Sequence, residues 1–274
     1  MSKILITSGC SFTETTHKDP DFWFTWPVWL FDKLKNHRFD TWQNSAMGSQ
    51  GNGLISRGVF YNVCKALEKY DPADILVGVM WSGSTRLDYR CSDPKMLSWG
   101  STNQDGWIEN PTQFVKDADK FWVIMNNGWQ NEEARLYHKY FFDFVGSTIY
   151  SIEHILRLQL FLESKRVPYF FTNFADHNII PKDGFTENHP EISYLYKQID
   201  VSKYLPVTSM HRWCYEHSST REQWKLEHLY NGVWSPWIHP RKIQHQEFVD
   251  KVVYPYLIDK KLISPVSSVG RAAS

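Results

Sequence analysis

The sequence lacks the features that direct a chain to a membrane or to nucleic acid. No apolar run approaches the ~20 residues that a helix needs to span a bilayer. The apolar stretch near the amino-terminal end, residues 4–6, is too short for a signal peptide. Thirty basic residues balance thirty acidic ones, which argues against a protein built to neutralise nucleic acid or an anionic surface. We therefore expect a cytoplasmic protein without a nucleic-acid or membrane partner.

Cysteine is scarce, and metal and nucleotide motifs are missing. The four cysteines form no Cys-x-x-Cys pair, which excludes a local zinc or redox motif. Four dispersed histidines show no His-x-x-x-His spacing: His177, His189, His211 and His217. Neither G-x-G-x-x-G nor G-x-x-x-x-G-K-[ST] occurs. We expect free thiols in a reducing compartment, and neither a metal nor another cofactor.

Aromatic side chains are what the sequence has in excess. They make up 16% of the residues, with 13 Trp, 14 Tyr and 17 Phe. A chain this apolar and bulky is not disordered. It has enough aromatic side chains for a large core and for a binding surface as well.

Short apolar runs alternate with segments of helical apolar spacing. Lys3 to Ser8 and Ile75 to Met80 are typical of strands buried in a sheet. The sequence predicts strands at 3–8, 40–46, 75–80 and 167–172, and helices at 22–35, 54–69, 148–165 and 240–258. Strands that alternate with helices indicate an α/β fold, with a parallel sheet between two helix layers.

Two stretches, residues 87–135 and 174–237, show only weak periodicity and predict long loop-rich insertions. They hold Trp99, Trp107, Trp122, Trp129, Trp213, Trp224, Trp234 and Trp237. Their flat rings suit carbohydrate, and they also suit the core of a lid. We expect one domain over 1–263, insertions included, and a disordered tail over 264–274.

The candidate site is formed by the residues that follow the predicted strands, because open parallel sheets bind ligands at the carboxyl ends of their strands. Ser11 follows the first strand, and His239 precedes the last helix. A Ser at a strand-to-helix turn and a His are the nucleophile and general base of acyl transfer. Glycine-containing turns between them, such as Asn44 to Asn52, offer backbone N–H groups to an oxyanion.

In order and placement, these segments resemble the SGNH/GDSL hydrolase family, especially its divergent phage and bacterial members. The resemblance implies a three-layer α/β/α, flavodoxin-like fold and the hydrolysis of acyl or acetyl esters, including esters on sugars. Gly9-Cys10-Ser11-Phe12-Thr13 is similar to the family's first block, with Cys10 where Asp is usual, and implies Ser11 as nucleophile. His239-Pro240 is similar to the last block and implies His239 as base. The likeness covers roughly residues 3–86, 149–172 and 239–258.

The middle blocks imply the oxyanion donors. Asn44 to Asn52 is similar to an Asn-x-Ala-x-x-Gly turn, which implies a backbone donor at Gly48 or Ser49. The third block usually carries Gly-x-Asn-Asp, and Ser82 is the nearest substitute for its Asn. A hydroxyl donates one hydrogen bond, with a shorter reach than an amide.

Two further residues have alternative roles. Arg86 either binds a carboxylate or phosphate of the substrate or forms a structural ion pair with Asp88 or another acid. Asn52 either binds substrate or has a structural role, in which it connects the loop after the second predicted strand to the Ser11 turn. We favour the structural role.

The last block of the family also carries an Asp, and here Pro236 and Trp237 stand in its place. A backbone carbonyl can orient His239 instead, or a carboxylate can come from Asp88 or Asp176. The third alternative is a site that has lost hydrolysis and kept binding. Loss of the Asp partner in a serine protease triad lowers kcat by ~10⁴.

Three hypotheses follow. The first is a serine esterase that acts on a small-molecule or glycan ester. The second is a catalytically degenerate carbohydrate-binding or structural module, located in the virion if a phage encodes it. The third is an enzyme that transfers an acyl group to or from a sugar. Substrate and oligomeric state stay open.

Overall fold

The structure is a computed structural model that describes residues 2–15, 24–90, 122–125, 132–176, 186–230, 233–234 and 239–264. Its strands, in chain order, are β1 Lys3–Ser8, β2 Phe39–Asn44, β3 Ile75–Trp81, β4 Leu87–Arg90, β5 Trp122–Met125, β6 Tyr169–Asn173, β7 Leu229–Tyr230 and β8 Val233–Trp234. Four of them form a parallel sheet in the order β2-β1-β3-β6. Two antiparallel pairs, β4 with β5 and β7 with β8, lie outside it.

The helices are α1 Trp26–Leu34, α2 Asn52–Ala66, α3 Glu132–Tyr140, α4 Phe144–Lys165, α5 Pro190–Tyr196, α6 Met210–His217, α7 Arg221–His228, α8 Lys242–Phe248 and α9 Tyr254–Asp259. Short 3-10 turns cover Lys35–His37, Pro72–Asp74 and Val201–Lys203. The helix predicted over 240–258 is divided, since a π-helical turn at Val249–Val253 joins α8 to α9. Within the described ranges, no helix is both long enough and apolar enough to cross a membrane.

Apolar side chains on both faces of the sheet separate the helices into two layers. In β1, Leu5 enters one core, with α1, α6, α8 and α9. Its neighbours Ile4 and Ile6 enter the other core, with α2, α4 and α5. This alternation is the period-two pattern of a strand, applied here to two apolar faces. The predicted α/β fold is confirmed, and the strand order is that of a flavodoxin-like sheet.

Regular structure also occurs inside the predicted insertions. Residues 87–135 include β4, β5 and the start of α3, and residues 174–237 include α5, α6 and α7. Helix α6 carries Met210, Trp213 and Cys214 into the core, where the Trp213 ring meets Phe248 edge-on at 5.5 Å. Trp213 is therefore a core residue. Of the other insertion tryptophans, Trp99, Trp107, Trp129 and Trp237 lie outside the described residues, and only the backbone is described for Trp122, Trp224 and Trp234.

Three of the four cysteines fall within the described residues, and all three are free thiols. Cys64 is exposed, whereas Cys10 and Cys214 are buried. Burial raises the pKa of the Cys214 thiol well above its ordinary value, and nearby Glu247 acts in the same direction. The predicted tail lies outside the described residues except for Ser264.

Candidate active site

Ser11 lies in a tight turn directly after β1. The Cys10 carbonyl accepts hydrogen bonds from Thr13 N at 2.8 Å and from Glu14 N at 3.1 Å, which closes the turn around Ser11. A side chain at Gly9 would collide with Thr13, so only glycine fits where the chain leaves the strand. The Cys10 side chain is buried in the core beneath the turn. Ser11 is thereby held at the carboxyl-end edge of the sheet and remains partly exposed.

His239 meets Ser11 across this edge. Its Nε2 lies 2.6 Å from Ser11 Oγ, although 228 positions separate the two residues. When Nε2 carries no proton, the Ser11 hydroxyl donates to it, which is the arrangement of a nucleophile and its general base. The His239 ring lies 5.0 Å from the ring of buried Phe12, and Phe12 meets Phe174 edge-on at 5.2 Å. Two aromatic rings therefore support the imidazole.

His245, six positions after His239, fixes the segment that carries it. The backbone N–H of Trp26 donates to His245 Nδ1 at 3.1 Å, and the His245 ring is also hydrogen-bonded to the Pro240 backbone. Burial, with a smaller contribution from nearby His239, lowers the pKa of His245 to about 3. His245 is therefore neutral at physiological pH and serves as a structural link. Gln244 adds a second link, since its Oε1 accepts from Arg241 N at 2.6 Å.

The loop after β2 is held against the Ser11 turn. Gln50 Nε2 donates to the Gly9 carbonyl at 2.5 Å and to the Ser45 carbonyl at 3.1 Å, and Met47 N donates to the same Gly9 carbonyl at 3.3 Å. Gly48 and Ser49 form the tip of the turn, which Gln50 N closes onto the Met47 carbonyl at 3.3 Å. Ser49 has φ of 60°, which lies in the left-handed region.

Both predicted oxyanion positions can donate from this turn. Among the described residues, neither Gly48 N–H nor Ser49 N–H makes a backbone hydrogen bond, and the same holds for Ser11 N–H. Backbone N–H groups that make no backbone hydrogen bond can donate to an oxyanion.

Asn52 has a structural role, but its partner differs from the expected one. Its Nδ2 donates to the Ser82 carbonyl at 3.0 Å, and its Oδ1 accepts from Ser82 N at 2.8 Å. Both residues are buried. Asn52 therefore joins α2 to the loop after β3, and Gln50 makes the tie to the Ser11 turn that the sequence assigned to Asn52.

Ser82 and Arg86 form a second polar pair at this edge. Arg86 Nη1 donates to Ser82 Oγ at 3.0 Å, and the guanidinium lies 4.9 Å above the Phe174 ring. Ser82 Oγ accepts this bond and keeps its own hydrogen for donation. The alternative of an Arg86–Asp88 ion pair is wrong for the described structure, in which Asp88 bonds to backbone N–H groups instead.

The carboxylates considered as substitutes for the family's Asp are engaged elsewhere. Asp88 Oδ1 accepts from Gly51 N and its Oδ2 from Leu54 N, both at 2.9 Å, which caps the start of α2. Burial raises the pKa of Asp88 to about 6, against the opposing effect of these bonds. Asp176 Oδ1 accepts from Ser209 Oγ at 2.6 Å, at the start of α6. Pro236 and Trp237 lie outside the described residues.

The sequence did not indicate Gln50, His245 or Phe174 as parts of this region. A signal exists for His245, because it shares the buried face of the last helix with Phe248 and Val249, and a buried histidine needs a hydrogen-bond partner. Gln50 has a weaker signal, as an amide inside a loop predicted at the sheet edge. In the part of the chain that the structure describes, no group of three or more His, Cys, Asp or Glu side chains is arranged to hold a metal.

Comparison of the chain with protein-family models, with curated proteins and with solved structures finds no match in any of the three. A functional assignment therefore depends on the geometry of the chain itself.

Proposed function

We propose that the protein is a serine hydrolase that cleaves an acyl or acetyl ester. Ser11 is the nucleophile and His239 is the general base. The observation that carries the proposal is the 2.6 Å separation of Ser11 Oγ and His239 Nε2 at the carboxyl-end edge of a parallel sheet. The resemblance of the Ser11 and His239 segments to SGNH/GDSL hydrolases supports the same chemistry.

The proposed reaction has two half-reactions. His239 accepts the Ser11 proton as the hydroxyl attacks the ester carbonyl, and then gives it to the leaving alcohol. The N–H groups of Ser11 and of Gly48 or Ser49 stabilise the oxyanion of the tetrahedral intermediate. Water then attacks the acyl-enzyme by the same route and frees Ser11. The proposed substrate is a small-molecule or glycan ester.

The test is hydrolysis of a small activated ester such as 4-nitrophenyl acetate. We expect turnover by the wild type and a loss of at least about 10³-fold in kcat/KM for Ser11→Ala, because nucleophile and base act as one unit. Ser164→Ala is the matched control, since Ser164 is an exposed serine near the carboxyl end of α4. Folded wild-type protein without turnover, or equal losses in the two variants, would contradict the proposal.

The competing proposal is a module that binds carbohydrate without cleaving it. The hydrogen bonds of Asp88 with the backbone at the start of α2, and of Asp176 with Ser209 Oγ, favour it, because they commit both candidate carboxylates to other partners. It predicts that acetylated oligosaccharides bind equally to the wild type and to Ser11→Ala, while neither protein releases acetate.

A further inference from the structure

Arg86 is a buried cation that uses little of its hydrogen-bonding capacity. Its side chain is 8% exposed. A guanidinium carries five N–H donors, and one of them, on Nη1, donates to Ser82 Oγ. Within the part of the chain that the structure describes, the other four have no hydrogen-bond acceptor. A buried charge is unfavourable unless it is paired, so Arg86 is suited to an anionic ligand.

The position of Arg86 connects it to the candidate active site. Its guanidinium lies 4.9 Å over the Phe174 ring, Phe174 meets Phe12 at 5.2 Å, and Phe12 lies 5.0 Å from the His239 ring. These contacts form a continuous series of packed side chains from the guanidinium to His239. Arg86 also follows β3, the strand paired in parallel with β1, whose carboxyl end leads to Ser11.

Asp88, the carboxylate expected to pair with Arg86, does not neutralise it by a direct bond in the described structure. Asp88 lies close enough for its pKa to be affected by Arg86, but desolvation dominates that pKa. Both carboxylate oxygens of Asp88 accept backbone N–H groups, from Gly51 and Leu54. The bond from Nη1 to Ser82 and the contact with the Phe174 ring hold the guanidinium in place. Nε and Nη2 form the pair of donors with which a guanidinium binds two oxygens of one anion.

We propose that Arg86 is a specificity-determining residue that binds an anionic group, a carboxylate or a phosphate, on the ester substrate. This inference rests on the proposed function of Ser11 and His239. It narrows the substrate class to esters whose acyl or alcohol part carries a negative charge at some distance from the reacting carbonyl.

The first test compares a charged ester with a neutral analogue that is larger by one methyl group: the mono-4-nitrophenyl ester of glutaric acid and its methyl ester. We expect the wild type to prefer the acid. Arg86→Gln should lower the ratio of the two kcat/KM values by about 10- to 100-fold, the effect of losing charge-assisted hydrogen bonds. Arg86→Lys keeps the positive charge but loses the two parallel N–H donors of the guanidinium, and should lower the ratio less. Arg157→Gln, on an exposed face of α4, should not change it.

A binding measurement separates this proposal from the proposed function. Glutarate and inorganic phosphate are titrated by calorimetry into Ser11→Ala and into the Ser11→Ala, Arg86→Gln double variant. Anion binding that requires Arg86, without ester turnover by the wild type, would support the Arg86 site and overturn the esterase. If the wild type hydrolyses both esters and neither Arg86 variant changes the ratio of the two kcat/KM values, the Arg86 site alone would be overturned. Which of the two anions binds more tightly distinguishes a carboxylate from a phosphate substrate.

Discussion

The backbone N–H of Trp26 donates a hydrogen bond to His245 Nδ1 across 3.1 Å, and so joins the first residue of α1 to the middle of α8. His245 is also hydrogen-bonded to Pro240, the residue directly after His239. One buried imidazole thus fixes the entrance to α8 relative to the layer that contains α1. We expect the position of His239 beside Ser11 to depend on this link.

Replacement of His245 by Phe should weaken the fold. The Trp26 N–H would be left without an acceptor in a buried site, which costs about 1–3 kcal/mol. Urea unfolding at pH 7 should show this loss in the free energy of unfolding. His217→Phe is the control, since His217 is exposed on α6, and it should change the free energy by less than about 0.5 kcal/mol. Equal midpoints for the two variants would contradict the role given to His245.

Asp88 should make the fold less stable as the pH rises. Its folded-state pKa, about 6, lies above the ordinary value of 3.8, so the folded state binds more protons between these values. The contribution of Asp88 is therefore fully present below pH 3.8 and is lost as the pH rises through about 6. Asp88→Asn removes this dependence. We subtract the free energy of unfolding of Asp88→Asn from that of the wild type. We expect this difference to fall by roughly 1–3 kcal/mol between pH 4 and pH 7.

The contribution of His245 to stability changes with pH in the opposite direction. The wild type must therefore be compared with Asp88→Asn to isolate the effect of Asp88. The pKa of His245 is lowered to about 3, so its contribution to stability is lost as the pH falls from 6.5 towards 3. The pH dependence of the wild type alone contains both effects. A free-energy difference between wild type and Asp88→Asn that rises with pH would contradict the assigned burial of Asp88.

Ser49 should prefer replacement by glycine over replacement by a branched residue. Its φ of 60° lies in the left-handed region, which β-branched side chains rarely adopt. Ser49→Val should lower the free energy of unfolding by about 1–2 kcal/mol, whereas Ser49→Gly should leave it equal or up to about 1 kcal/mol higher. Chemical denaturation of the two variants measures this order. If Val were tolerated as well as Gly, the loop would not have the turn described above.

Asn52→Asp should be more harmful than its small change in shape suggests. A carboxylate has no N–H to donate to the Ser82 carbonyl and would place two acceptors against each other in a buried site. We expect a loss of at least about 1–3 kcal/mol in the free energy of unfolding. Asn52→Ala removes both bonds without this repulsion, and should be the milder variant. The reverse order in thermal or chemical unfolding would show that the reciprocal bonds with Ser82 are not what holds Asn52.

Local patterns in the sequence were sufficient for the sheet, and together with the family resemblance they identified the two residues, Ser11 and His239, that the structure brings together. The apolar runs at Lys3 to Ser8 and Ile75 to Met80 identify the central strands, and parallel strands place their carboxyl ends at one edge. Ser11 is found by that rule. His239 is found by its place before the last helix together with the resemblance of His239-Pro240 to a known block.

The connections between loops could not be predicted, because they join positions far apart in the chain. Gln50 reaches Gly9 across 41 positions, and Asp88 reaches Gly51 across 37. Nothing local distinguishes Gln50 from Asn52 as the residue that makes the tie. Helix α6 was missed because its short apolar face, with Trp213 and Cys214, lies in a stretch of mostly polar residues and becomes evident only against Phe248.

The most direct test of the central claim is covalent labelling of Ser11 by a fluorophosphonate probe, located by peptide mass analysis in the wild type and in His239→Ala. In the proposed mechanism the Ser11 hydroxyl donates to the imidazole 2.6 Å away, which would activate it as a nucleophile. We predict a phosphonylated peptide that contains Ser11 in the wild type, and labelling at least about 10²-fold slower in folded His239→Ala. Folded wild-type protein that stays unlabelled at Ser11, or that is labelled equally fast without His239, would contradict the account.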